Sequence, residues 1–110
     1  MSRRDAPLAA LLGRGAAYSG DLRFEGRVRV DGAFKGRVYT EDVLEIGEGG
    51  VVDGEIDVAT LIVAGTASGR VRARELLVLR PTGVLRGTVD AGALEAHPGG
   101  RVDATLKVGG

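Results

Sequence analysis

One short unit returns along most of this 110-residue chain at a nearly constant interval. Glycine, any residue, then an aliphatic occurs as Gly20-Asp21-Leu22, Gly36-Arg37-Val38, Gly54-Glu55-Ile56, Gly69-Arg70-Val71 and Gly87-Thr88-Val89. Ala104-Thr105-Leu106 continues it with alanine for glycine, and the successive intervals are 16, 18, 15, 18 and 17 residues. A period of this size marks a stacked repeat, in which one unit cannot hide its apolar face but neighbouring units can.

Alignment on the glycine sorts the remaining residues into columns. Two positions past the aliphatic stand Phe24, Thr40, Val58, Ala73, Ala91 and Val108. Alternating pairs follow: Val28/Val30, Leu44/Ile46, Leu61/Val63, Leu77/Leu79 and Leu94/Ala96. Two residues before the next unit stand Phe34, Val52, Ala67, Leu85 and Val102. Each unit is thus three short apolar runs with strand-like alternation, separated by turn signals such as Asp31-Gly32 and Pro81-Thr82-Gly83. Helical periodicity is absent from residues 17–110.

Three strands bury nothing alone, but coils stacked about 4.8 Å apart merge their inward columns into one interior. The expectation is an all-β, single-domain triangular β-solenoid of about six coils over residues 17–108. Residues 1–16 would form a flexible amino-terminal tail and residues 109–110 the carboxyl-terminal end. Leu77 and Ile56 fall on inward columns, and the glycines fall at corners that exclude a Cβ.

The outward columns test this register. After each glycine run Asp21, Arg37, Glu55, Arg70, Thr88 and Thr105, and two residues further run Arg23, Tyr39, Asp57, Arg72, Asp90 and Lys107. Stacked parallel and in register, they become ladders of mostly alternating charge, whereas like charges would repel. Another outward column, Arg29, Glu45, Ile62, Val78, Glu95, turns aliphatic at mid-domain. Ile62 and Val78 are therefore candidates for lateral contact between chains, with Val51 and Val84 as neighbours that could enlarge the surface.

Composition narrows the function. Nineteen glycines without a strict triplet and with three prolines exclude collagen and a simple linker. Fifteen basic residues balance fifteen acidic ones, which argues against a direct nucleic-acid binder. Without cysteine there is no thiol nucleophile or thiolate metal site. The single histidine, His97, sits in an Ala-His-Pro-Gly-Gly turn, so neither a three-histidine metal site nor a general base in a cleft is expected. The chain is read as no enzyme and as needing no cofactor or metal. The tail carries net charge +2, from Arg3, Arg4 and Arg14 against Asp5. Its Leu8, Leu11 and Leu12 have the spacing of one helix face, which suits a membrane-surface anchor or a cap over one end of the domain.

The run from Gly20 through Asp-Leu-Arg-Phe-Glu-Gly-Arg-Val-Arg-Val-Asp-Gly-Ala-Phe-Lys to Gly36 resembles the bactofilins, bacterial cytoskeletal proteins. So do Leu44-Glu-Ile-Gly-Glu-Gly-Gly-Val-Val-Asp-Gly54 and Leu79-Arg-Pro-Thr-Gly-Val-Leu-Arg-Gly87, and the resemblance covers about residues 18–108. It implies a right-handed parallel β-helix that polymerises without nucleotide through its ends. It also implies a cytoplasmic scaffold, at the inner face of the cell membrane in some members, serving cell shape, wall-modifying enzymes, polar organelles or chromosome-segregation proteins. Many members open on a Met-Phe-like membrane-targeting tail and close on a longer polar one. This chain opens Met1-Ser2-Arg3-Arg4 and runs four residues past Leu106.

Physics gives self-association its own argument, because the end coils of a solenoid expose interior and unpaired strand edges. The expected contacts of a homopolymer are Leu22, Phe24, Val28 and Val30 at one end and Leu94, Val102, Leu106 and Val108 at the other. Two other classes compete. A left-handed β-helix acyltransferase is favoured by six-residue spacings such as Ile46, Val52, Val58, but the frame breaks near Leu61. A non-polymerising adaptor would share the fold and differ in staying monomeric.

Overall fold

The computed structural model describes residues 10–13, 15 and 17–109. Among them every regular element is a strand: β1 (Ala10–Leu12), β2 (Ala17–Phe24), β3 (Val28–Val30), β4 (Ala33–Ile46), β5 (Val51–Val63), β6 (Thr66–Leu79), β7 (Val84–Ala91), β8 (Leu94–Ala96) and β9 (Arg101–Val108). All pairings are parallel, and each joins a strand to one that lies a single coil further along the solenoid. The result is a β-solenoid with three sides. β2, β4, β5, β6, β7 and β9 supply the first two sides in six layers, about five turns from Gly20 to Ala104.

The repeat and the layers coincide. Gly20 stands opposite Gly36, then Gly54 and Gly69, and Gly87 stands opposite Ala104. These glycines turn the chain from the first side to the second. The ladder runs through them unbroken from β2 to β6 and skips Gly69 and Gly87 between β6 and β7, and β4 and β5 continue through the second corner as single long strands. At Gly54 both reasons for glycine hold: φ is +134°, and a Cβ would collide with the Gly36 carbonyl oxygen.

The uneven intervals arise at the other two corners. Between Gly36 and Gly54 the second corner takes two extra residues, Glu41 and Asp42, and the third a four-residue turn at 47–50. Between Gly54 and Gly69 the second corner takes Ala59 alone and the third only Ala64 and Gly65. Three residues are saved there, which is why the frame shifts near Leu61 while the sides stay in register.

The interior is a set of stacked columns. Phe34, Val52, Ala67 and Leu85 line the first side, Val38, Ile56, Val71 and Val89 the second, and Leu44, Leu61 and Leu77 the third, all buried. Full burial of one such side chain is worth roughly 1.5–3 kcal/mol. Thr40 is the one buried polar side chain among the described residues. Its hydroxyl donates to the Gly26 carbonyl at 2.8 Å and accepts the Asp42 N–H at 3.1 Å, so the second corner is tied from inside.

The spacing of Leu8, Leu11 and Leu12 predicts one face of a helix, and here the structure differs. Leu8 lies outside the described residues, but Ala10–Leu12 form strand β1, with Ala10 opposite Val28 and Leu12 opposite Val30. A single helical turn fixes several dihedrals for one hydrogen bond, whereas the open edge of β3 offers a row of ready partners.

Candidate assembly surfaces

Among the described residues, each end of the solenoid is a sheet edge above an incompletely covered interior. In the sheet order β1 and β9 are terminal, and β2 and β8 likewise pair with a single strand. At the amino-terminal end Leu22 and Phe24 are half-buried against the core, and Tyr18 is 42% exposed. At the carboxyl-terminal end Val102 and Val108 are 41% and 48% exposed, and Leu94, Ala104 and Leu106 are half-buried. The equivalents of Val102 and Val108 one layer inside, Leu85 and Ala91, are 0% and 1% exposed. Among the described residues no further layer lies over Val102 and Val108.

The expected contact set changes at one end. Val28 and Val30 are 0% exposed, because β1 lies across the edge of β3. They belong to the interior of the single chain rather than to its surface. Tyr18 takes a place that the columns missed. It stands opposite Phe34 in the inward column of the first side, and its signal was its position two residues before Gly20. Arg3, Arg4 and Leu8 lie outside the described residues, and Leu11 and Leu12 are placed by backbone pairing only.

The charge ladders stack as the columns require. Asp21, Arg37, Glu55 and Arg70 are successive partners, as are Arg23, Tyr39, Asp57, Arg72, Asp90 and Lys107. Arg37 and Glu55 approach to 3.7 Å, both largely exposed, and such a contact sets register more than stability. Asp57 instead pairs at 3.2 Å with Arg74, a corner residue outside the ladder. The Arg74 guanidinium lies 5.3 Å from the Tyr39 ring centroid, and Arg23 lies 5.1 Å from it.

The third side carries a different outward surface. Arg29, Glu45, Ile62, Val78 and Glu95 are stacked as successive partners. Ile62 and Val78 do adjoin, and both are half-buried. The parallel outward column, Val43, Thr60 and Leu76, adds two more half-buried aliphatics that the repeat alignment passed over. Val51 and Val84 lie beyond the corner, on the first side, with Thr66 between them.

Ion pairs close the patch on its amino-terminal flank. Glu45 accepts from Arg27 at 3.0 Å and from Arg29 at 3.1 Å, while Arg29 also donates to Asp31 at 2.9 Å. The hydrogen bond that Arg29 donates to Asp31, then the Asp31 charge, hold the pKa of the Arg29 guanidinium above its ordinary value against a partial desolvation, with a further contribution from the Glu45 charge.

His97 occupies the third corner. Its N–H donates to the Leu79 carbonyl, its own carbonyl accepts from Gly100, and its Nε2 lies 2.9 Å from Glu95. These contacts describe a turn residue. Among the described residues no helix is long and apolar enough to cross a membrane.

Comparison with known proteins adds one finding. A family model described as "Bactofilin: Polymer-forming cytoskeletal" matches residues 10–107, from the first residue of β1 into β9. No curated protein and no solved structure matches the chain.

Proposed function

Because the chain belongs to the bactofilin family, whose domain is polymer-forming and cytoskeletal, we propose that it is a filament subunit stacking end to end without nucleotide. The observation that carries this reading is the pair of open ends. Leu22, Phe24 and Tyr18 at one end, and Val102, Leu106 and Val108 at the other, lack only one further layer to be buried as their equivalents are. A second copy placed on either end supplies that layer, together with partners for the unpaired backbone of β2 or β9. Adding a coil is the step by which the fold already builds itself.

The role that follows is mechanical. A stiff rod of stacked coils in the bacterial cytoplasm, at the inner face of the membrane where an anchor holds it, presents the same side surfaces at every subunit. Wall-modifying enzymes or chromosome-segregation proteins would be recruited to those surfaces. Neither chemistry nor a bound cofactor enters this function.

Negative-stain microscopy with a sedimentation assay, without nucleotide, tests the stacking. Wild type should form filaments that pellet, and Val108→Arg, which puts a charge into the exposed end of an inward column, should stay in the supernatant with an unchanged circular dichroism spectrum. Wild type remaining monomeric across concentrations would overturn the filament reading in favour of an adaptor.

A further inference from the structure

We infer that the aliphatic patch on the third side is a lateral contact between filaments, its occupant being the same patch on a second stacked array of this chain. The inference rests on the filament reading. Four outward side chains make the patch: Val43 on β4, Ile62 on β5, and Leu76 and Val78 on β6. They occupy three successive layers at the middle of the domain, and Thr60 sits among them as a small β-branched spacer. Elsewhere on this side the outward column is charged, at Arg29, Glu45 and Glu95.

Two features select the occupant. First, the patch is small. Four half-buried aliphatics cannot supply the about 800 Å² per partner that a stable one-to-one complex needs. A monovalent protein would therefore leave quickly. In a filament, however, the patch recurs at a fixed repeat, roughly 29 Å for the six layers of a subunit at about 4.8 Å each when stacking is head to tail and twice that when it is head to head. A partner gains from this repetition only if its own sites recur at the same rise, and a second filament of the same chain meets that condition by construction. Weak contacts then add along the length.

Second, the border is not basic. Arg27 and Arg29 are engaged by Glu45 and Asp31, and on the other flank Glu95 is acidic. Anionic lipid or nucleic acid would need a cation surplus beside the apolar residues, and these flanks carry none. Flat, apolar in the centre and charge-balanced at the amino-terminal rim, the surface suits a like surface.

The experiment compares wild type with Val78→Lys and with the double variant Ile62→Lys/Leu76→Glu, by sedimentation for polymer mass and by electron microscopy for filament width. Both variants change outward side chains and should keep the strand spectrum. Wild-type filaments should pair or bundle, and should remain so at about 1 M NaCl, where charge contacts are screened within about 3 Å. The variants should pellet as before under high-speed conditions yet appear as single filaments, the bundled fraction falling roughly tenfold or more. Single wild-type filaments, variants that bundle like wild type, or bundles that dissolve in salt would each overturn the lateral contact and leave end stacking intact. A wild type that forms no filaments removes the stacking reading, and this inference with it.

Discussion

Arg74 reaches across two layers of the solenoid to donate a hydrogen bond from Nη2 to the carbonyl oxygen of Thr40, 2.9 Å away. The same guanidinium pairs with Asp57 in the layer between and lies over the Tyr39 ring. Three coils are thereby stapled at the second corner, one of the two where the number of residues varies from coil to coil. Arg74→Ala should cost about 1–2 kcal/mol, a charge-assisted hydrogen bond plus a partly exposed cation–π contact. Arg74→Lys should restore less than half, because an ammonium lacks the planar fork that serves carbonyl, carboxylate and ring together. Urea midpoints on a Val108→Arg background, where assembly does not add to stability, would measure both. Full rescue by lysine would discard the staple.

Gly54 and Gly20 have similar backbone conformations, φ +134° and +125°, but differ in what stands beside them. A Cβ at Gly54 would meet the Gly36 carbonyl oxygen, whereas one at Gly20 would meet nothing within 4 Å in the single chain. Both alanine variants should lose the intrinsic penalty of an unfavourable φ, more than about 1 kcal/mol. Gly54→Ala should lose clearly more, by forcing two layers apart. Equal losses would show that φ alone explains the corner glycines.

Leu77 is fully buried with Leu61 and Leu94 as its partners in adjoining layers. An aspartate there places a carboxylate in an apolar column without a partner, which costs more than the roughly 1.5–3 kcal/mol lost with the leucine itself. Leu77→Asp should be insoluble or lack a cooperative thermal transition. Val78→Lys, the next residue but outward, should melt near wild type. This adjacent pair reads out the alternation directly in a calorimeter.

Most of this architecture is legible in the sequence because the inward columns are almost wholly apolar and every first corner but that of Ala104 carries a glycine. Phe34, Val52, Ala67 and Leu85 align by counting from Gly36, Gly54, Gly69 and Gly87, and they stack as counted. What escapes counting lies where the count varies. The Arg74 staple joins residues 34 apart across corners that take two, one and two extra residues. Leu76 was hidden for the same reason, since its distance from the corner glycine differs from that of Thr60 in the layer before it. Strand β1 has three residues, too few to show a period of two, and leucines at 8, 11 and 12 mimic a helical face. Only the open edge of β3, a tertiary fact, decides its conformation.

That edge supplies the last prediction. Residues 10–12 are the first layer of the third side, and beneath them Val28 and Val30 are completely buried. Deleting residues 1–9 leaves β1 in the chain, and the unfolding midpoint on the Val108→Arg background should stay near the wild-type value. Deleting residues 1–13 removes β1, opens the edge of β3 and uncovers two valines, for a loss on the order of 2 kcal/mol. Filaments add a second readout, because every subunit inside an end-to-end polymer uses its amino-terminal end as well as its carboxyl-terminal one. If β1 takes part in stacking at that end, the longer deletion removes one side of the surface and should weaken pelleting, while the shorter one should not. If both deletions pellet alike while only the longer one lowers the midpoint, then β1 serves the stability of the subunit and stacking at the amino-terminal end runs through the β2 side.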